Sequence, residues 1–229
     1  MSLAKRLLSV QPSGGGGSFN PETDITWHSL FWTEGTEFIA RGYTNGSTVG
    51  TWDNEGDDAN ATGGTGILAT SNALFGSRPT VDHGPFSSGA QTFSVAPSAV
   101  CTVVGIVRHT VITNDRSLWQ SADPRVTGGE RGDRWNLKAG SNNCAGGTSD
   151  MDPHMRVWYL NGSSSKVDVD GANIVTGDPG SHTITGSMDW GVNDCEVSLW
   201  GIYNGDITAD LAYADFKTWV DDHYGITIA

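Results

Sequence analysis

Paired carboxylates, clustered histidines and exposed indole rings are the groups through which this chain could do chemistry. Hydrolysis of a glycosidic bond needs two carboxyl groups about 5–10 Å apart. The nearest approximations are Glu34/Glu37 and Asp53/Glu55, and both pairs lie among turn residues rather than alternating along a strand. The sequence has no E-x-D-x-x-E run and no G-x-S-x-G elbow. Its six histidines, His28, His83, His109, His154, His182 and His223, fall at no H-x-H or H-E-x-x-H spacing. The expectation is a protein that is not an enzyme, with no catalytic residues and no cofactor.

Two further chemistries remain. Calcium is held by roughly six to eight oxygen ligands from clustered Asp, Asn and backbone carbonyls. Asp53, Asn54, Asp57 and Asp58 form one such cluster, and Asp189, Asn193 and Asp194 another. Asp and Asn also bond their own backbone in turns, and that reading is favoured for both clusters. Sugar rings stack on exposed aromatic faces while acids and amides hold their hydroxyls. Of the nine tryptophans, Trp27, Trp32, Trp158 and Trp200 fall in strand runs and Trp219 on a helix face, which assigns them to the core. Trp119, Trp135 and above all Trp190, between Asp189 and Gly191, are the candidate carbohydrate platform, with Asp189, Asn193 and Asp194 as the hydroxyl-binding groups.

The elements that must position these groups are short. With 31 glycines and Asn, Asp, Ser and Thr scattered throughout, about twelve strands separated by turns are expected, which predicts an all-β sandwich or barrel. Cys101–Val107 is the most apolar run and reads as a central strand. Thr26–Ile39 reads as strand, turn and short second strand, and Asn142–Asp152 as a long polar loop. One stretch changes period. Cys195, Val197 and Leu199 alternate with Glu196, Ser198 and Trp200 as in a strand, and then Leu211, Ala212, Phe216, Trp219, Val220 and His223 recur at helical spacing. Thr208 is placed to cap this closing helix and Gly225 to end it.

Charge and cysteine usage narrow the partners. A net charge of −13, from 26 acidic and 13 basic residues, argues against nucleic acid. Cys101, Cys144 and Cys195 are expected to be free thiols, since three cannot all pair and no C-x-x-C is present. No run approaches the ~20 apolar residues that span a bilayer, so no membrane insertion is expected. Met1–Val10 has too short an apolar core for a secretion signal. It does place Leu3, Leu7 and Leu8 opposite Lys5 and Arg6 ahead of the Gly-rich segment Pro12–Ser18. Residues 1–20 are therefore read as a docking arm with its linker, and residues 21–229 as one domain.

The ordered motifs resemble a known family. Trp52-Asp53, Ala61-Thr62, Arg78-Pro79-Thr80, Gly162–Ser165, Val169-Asp170-Gly171 and Tyr224-Gly225-Ile226 follow one another as in the laminin-G-like, or concanavalin A-like, jelly-roll domains of bacteriophage virion proteins. The resemblance covers about residues 27–228. It implies two stacked antiparallel sheets with one C-terminal helix. It also implies a virion structural protein of the minor tail type, soluble, oligomeric on the particle, joined to other virion proteins by its arm and contacting host-surface carbohydrate. A capsid decoration protein, a carbohydrate-binding module and a polysaccharide-acting enzyme are the alternatives.

Overall fold

The computed structural model describes residues 19–56, 58–84, 90–112, 116–121 and 126–229. The docking-arm residues Leu3, Lys5, Arg6, Leu7 and Leu8, and Asp57, lie outside the described residues.

Asn20 accepts a hydrogen bond from the Glu22 amide and Pro21 fixes the first helical φ, so Pro21–Asp24 forms one turn of helix, α1. Strand β1, Ser29–Trp32, follows. Thr36–Ala40 is then a short helix, α2, where the sequence suggested a second strand. The cause is a residue from further along: the Glu55 carboxylate accepts from the amides of Glu37 and Phe38, satisfying donors that a helix N-terminus leaves open.

The remaining strands are β2 Thr48–Trp52, β3 Ala61–Asn72, β4 Arg78–His83, β5 Gln91–Val95, β6 Cys101–His109 and β7 Arg116–Ser121. They continue with β8 Val126–Arg131, β9 Arg134–Ala139, β10 Asn143–Gly146, β11 His154–Leu160 and β12 Ser165–Val169. Strands β13 Ala172–Gly177, β14 Gly186–Trp190 and β15 Cys195–Asn204 lead to helix α3, Tyr213–Tyr224. Fifteen strands are described against about twelve expected; β10 lies within the stretch read as a polar loop, where Cys144 turns into the core.

The described strands all pair antiparallel, in the order β10-β9-β8-β7-β14-β5-β3-β4-β15-β6-β11-β12-β13, with β1 added beside β15 and β2 beside β3. This ribbon folds over so that a front sheet, β10 to β5 with the start of β3 beside it, faces a back sheet, β15 to β13, across one apolar core. The architecture is the all-β jelly-roll sandwich with a C-terminal helix that the sequence implied.

Tryptophans bridge the two sheets. Trp190 of the front sheet stacks on Trp200 of the back sheet, with centroids 4.7 Å apart and 12° between planes, and Phe93 also stacks on Trp190 at 5.1 Å. Trp158 lies 6.0 Å from both Trp200 and Trp119. These rings fit because glycines stand opposite them. In register, Gly105 pairs with Trp200 and Gly128 with Trp119, and a Cβ on either glycine would lie 2.4 Å and 2.2 Å from the facing ring.

Strand β15 carries a correction. Its alternation places Val197 and Leu199 on one face, but the register with β6 shifts between them. Cys195 and Val197 face the main core, the bulge then turns Leu199 to the outer side, and Trp200 and Ile202 return to the main core. On that outer side α3 packs Phe216, Val220 and Tyr224 with Val104, Ile106, Val157 and Leu199 to form a second core. The helix begins later than its sequence suggested. Asp206, not Thr208, caps a 3-10 turn at Ile207–Ala209, and Leu211, assigned to the apolar face, is 95% exposed. Its end is as expected, with Gly225 left-handed at φ 68°. No helix among the described residues is long and apolar enough to cross a membrane.

Candidate functional site

The expected tryptophan platform is not a surface. Trp190 and Trp119 are 0% exposed and Trp135 is buried, all three within the main core. The reason is period two: Met188 and Trp190 alternate with Asp189, and burial of the indoles leaves Asp189 on the outer face. The two half-buried tryptophans are packed as well. Trp219 is flanked by His223 at 4.6 Å and Phe216 at 5.8 Å, both nearly parallel to it, and Trp32 donates its indole N–H to the Tyr224 hydroxyl at 3.1 Å.

Asn193 and Asp194 are also taken up structurally. Asn193 Nδ2 donates to the Ser117 carbonyl at 3.0 Å, and Arg116 lies 3.4 Å from both Asn193 Oδ1 and Asp194 Oδ2. The suggested calcium residues have the same fate. Asp53 receives a two-pronged bond from Arg41 at 2.6 and 2.7 Å and a third from Asn60. Asn54 Oδ1 accepts from the Leu30 and Gly56 amides, while Asp58 accepts from the Ser29 hydroxyl and sits 3.1 Å from His28. The carboxylates that came nearest to a catalytic pair are likewise committed. Glu34 bonds His223 at 2.5 Å and faces Arg78 at 3.5 Å, and Glu55 caps α2.

Asp189 also has partners, but they lie with it on the outer face of the front sheet. Its Oδ1 accepts from the Thr92 hydroxyl at 2.6 Å and its Oδ2 from Gln120 Nε2 at 3.1 Å. Register extends this group into a row: Thr62 opposite Thr92, Thr92 opposite Asp189, Asp189 opposite Gln120, Gln120 opposite Thr127, Thr127 opposite Lys138, and Lys138 opposite Asn143. One polar residue from each of seven neighbouring strands thus crosses the outer side of the front sheet, a span of roughly 30 Å at the usual strand spacing. Two residues earlier on β9, Asn136 shares this outer face, and its buried Oδ1 has no hydrogen-bond partner among the described residues. Thr127 and Asn136 are buried although they point away from the core, so that end of the face is covered. Gln120, Thr92, Thr127 and Lys138 did not stand out in the sequence; the polar half of each strand's alternation was the available signal.

Within the sandwich lies a charged group. Arg156 is buried, stacks 3.8 Å over the Trp135 ring, and its three guanidinium nitrogens have no hydrogen-bond partner among the described residues. Glu130 stands beside Trp135 in the pairing of β8 and β9, and its Oε1 lies 3.4 Å from His109 Nε2. Burial pushes the Glu130 pKa up to about 7 against the pull of Arg156. Burial, with Arg156 and Arg116 nearby, keeps His109 well below the usual histidine value. Closer to the surface, His154 bonds Asp170 through Nδ1 at 2.5 Å and Asp150 through Nε2 at 2.7 Å. Burial works to lower its pKa, but these bonds raise it overall.

No protein-family model matches the sequence, and no curated protein matches it. Solved structures share the fold. Domain 4 of AbnA, a GH43 extracellular arabinanase from Geobacillus stearothermophilus, solved in complex with arabinotriose, is 13% identical with a TM-score of 0.58, over 87% of this chain and 98% of that one. Trypanosoma rangeli sialidase in complex with sialic acid is 13% identical with a TM-score of 0.60, over 94% of this chain and 36% of that one. The chain thus spans about a third of the sialidase's length.

Proposed function

We propose that this chain is a non-catalytic carbohydrate-binding jelly-roll module that holds glycan on the outer side of its front sheet. The observation that carries the reading is the polar row centred on Asp189, with Asn136 and its unpartnered Oδ1 beside it. Sugar hydroxyls both donate and accept, so they suit a surface that mixes carboxylate, amide, hydroxyl and ammonium groups. The likeness in fold to an arabinanase domain solved with arabinotriose supports it. Asp189 is the single carboxylate in the row, whereas hydrolysis of a glycosidic bond uses two.

The setting we favour is the outside of a phage virion, as a minor tail protein with host-surface glycan as its target and other virion proteins bound through residues 1–20. That setting rests on the ordered motifs and on the apolar arm ahead of its Gly-rich linker. A glycan array probed with the full chain tests the binding reading. Binding that Asp189→Asn abolishes is expected; binding to no glycan, or binding indifferent to that change, would overturn it. Deleting residues 1–18 is expected to prevent incorporation into particles, and undiminished incorporation contradicts the arm.

A further inference from the structure

The back sheet extends past the helix that covers it. Beyond α3, the outer sides of β12 and β13 form the floor of a groove of about 630 Å³, walled by the link from the 3-10 turn into α3. That volume lies within the range of ligand pockets, about 300–1,000 Å³. Lys166 and Asp168 alternate with the core residues Val167 and Val169, so both rise from the floor. Tyr213 and Lys217, one helical turn apart, come from the wall.

Most charges here are already matched. Lys166 lies 3.4 Å from Asp206, and Lys217 donates to the Ala229 carbonyl at 2.7 Å. Asp210 accepts from the Tyr203 hydroxyl at 3.0 Å and from the Ala212 amide at 2.8 Å. Two groups are left over. Asp168 and Tyr213 are each only 8% exposed, and Asp168 Oδ1 and the Tyr213 hydroxyl have no hydrogen-bond partner among the described residues. A buried polar atom without a partner is costly in an unoccupied protein.

We infer that this groove is a second binding site, for a neutral polyhydroxylated ligand such as one or two units of a saccharide. An anion would meet Asp168, Asp206 and Asp210, and a cation would meet Lys166 and Lys217. A hydroxyl can donate to Asp168 and accept from Tyr213 with no net charge to balance. Leu211, 95% exposed at the rim, supplies an apolar edge for the C–H side of a sugar ring. The groove and the front face lie on the outer sides of opposite sheets, and the inference does not depend on the front face binding anything.

The test is an amide NMR titration of the full chain with maltotriose, mannotriose and arabinotriose. Saturable shifts at 166–173 and 208–217 are expected with at least one of them, and they should persist in Asp189→Asn. The double variant Asp168→Asn/Tyr213→Phe should weaken that response at least tenfold while leaving the thermal midpoint unchanged or raised, because Tyr213→Phe removes a hydroxyl that has no partner. No groove shifts with any of the three sugars, or shifts that survive in the double variant, would overturn the inference. Loss of front-face shifts alone would leave the groove standing and count against the front-face reading.

Discussion

The back sheet turns Val104, Ile106, Val157 and Leu199 outward, and α3 covers them with Phe216, Val220 and Tyr224. The front sheet turns Thr62, Thr92, Asp189, Gln120, Thr127 and Lys138 outward. Both sheets bury their other side in the same tryptophan-rich core, so the contrast lies wholly in which residues alternate with the core set. An apolar outer face must recruit a cover, and here that cover is the closing helix. A polar outer face needs none, and around Asp189 and Thr92 it stays open to a ligand. The helix-covered part of the back sheet therefore stabilises the fold, and the open front face is, in our reading, where glycan binds.

Changes on the covered side should be the most damaging. Phe216→Ala removes a fully buried ring from the second core and is expected to cost about 3–5 kcal/mol, measured by urea denaturation. A loss below about 1 kcal/mol would mean that α3 is not a structural cover. The shared interior comes next. Glu130→Ala leaves buried Arg156 without the opposite charge that acts on it most strongly and should cost about 3 kcal/mol, whereas Glu130→Gln combined with Arg156→Met should recover most of that loss. Equal stability of the two variants would remove the pair from the account.

A smaller effect concerns pH. Burial lifts the Glu55 pKa from 4.5 to about 7, against the two amides of α2 that favour its charge. Between those values the folded chain holds a proton that the unfolded chain has released, so stability falls as pH rises through that window. Glu55→Gln should flatten the fall in thermal midpoint between about pH 5 and about pH 7.5 relative to the parent chain, and an unchanged slope would contradict the assignment. The smallest expected cost to stability is on the open side. Asp189→Asn should change unfolding free energy by less than about 1 kcal/mol, because its partners are hydroxyl and amide groups at a partly exposed surface.

The sequence revealed the fold through features that act locally. The apolar run at Cys101–Val107, the change of period after β15 and the left-handed Gly225 all stand where they were read. What escaped depends on distant partners. Thr36–Ala40 is helical because Glu55 caps it, and Leu199 faces α3 because a bulge against β6 reverses the alternation. The site was half legible. Asp189 and Trp190 were singled out together for their polar surroundings, but adjacent strand residues face opposite ways, and the large apolar ring took the core. Asn193 and Asp194 have the chemistry of a sugar site and serve Ser117 and Arg116 instead, a distinction that composition alone does not make.

In our reading, the outer side of the front sheet binds carbohydrate. Amide shifts mapped during titration of the full chain with a series of neutral and acidic oligosaccharides test it most directly. The account predicts saturable shifts clustered at Thr92, Gln120, Thr127, Asn136, Lys138 and Asp189, lost in Asp189→Asn with the fold intact. Shifts absent from that face with every sugar in the series would contradict it.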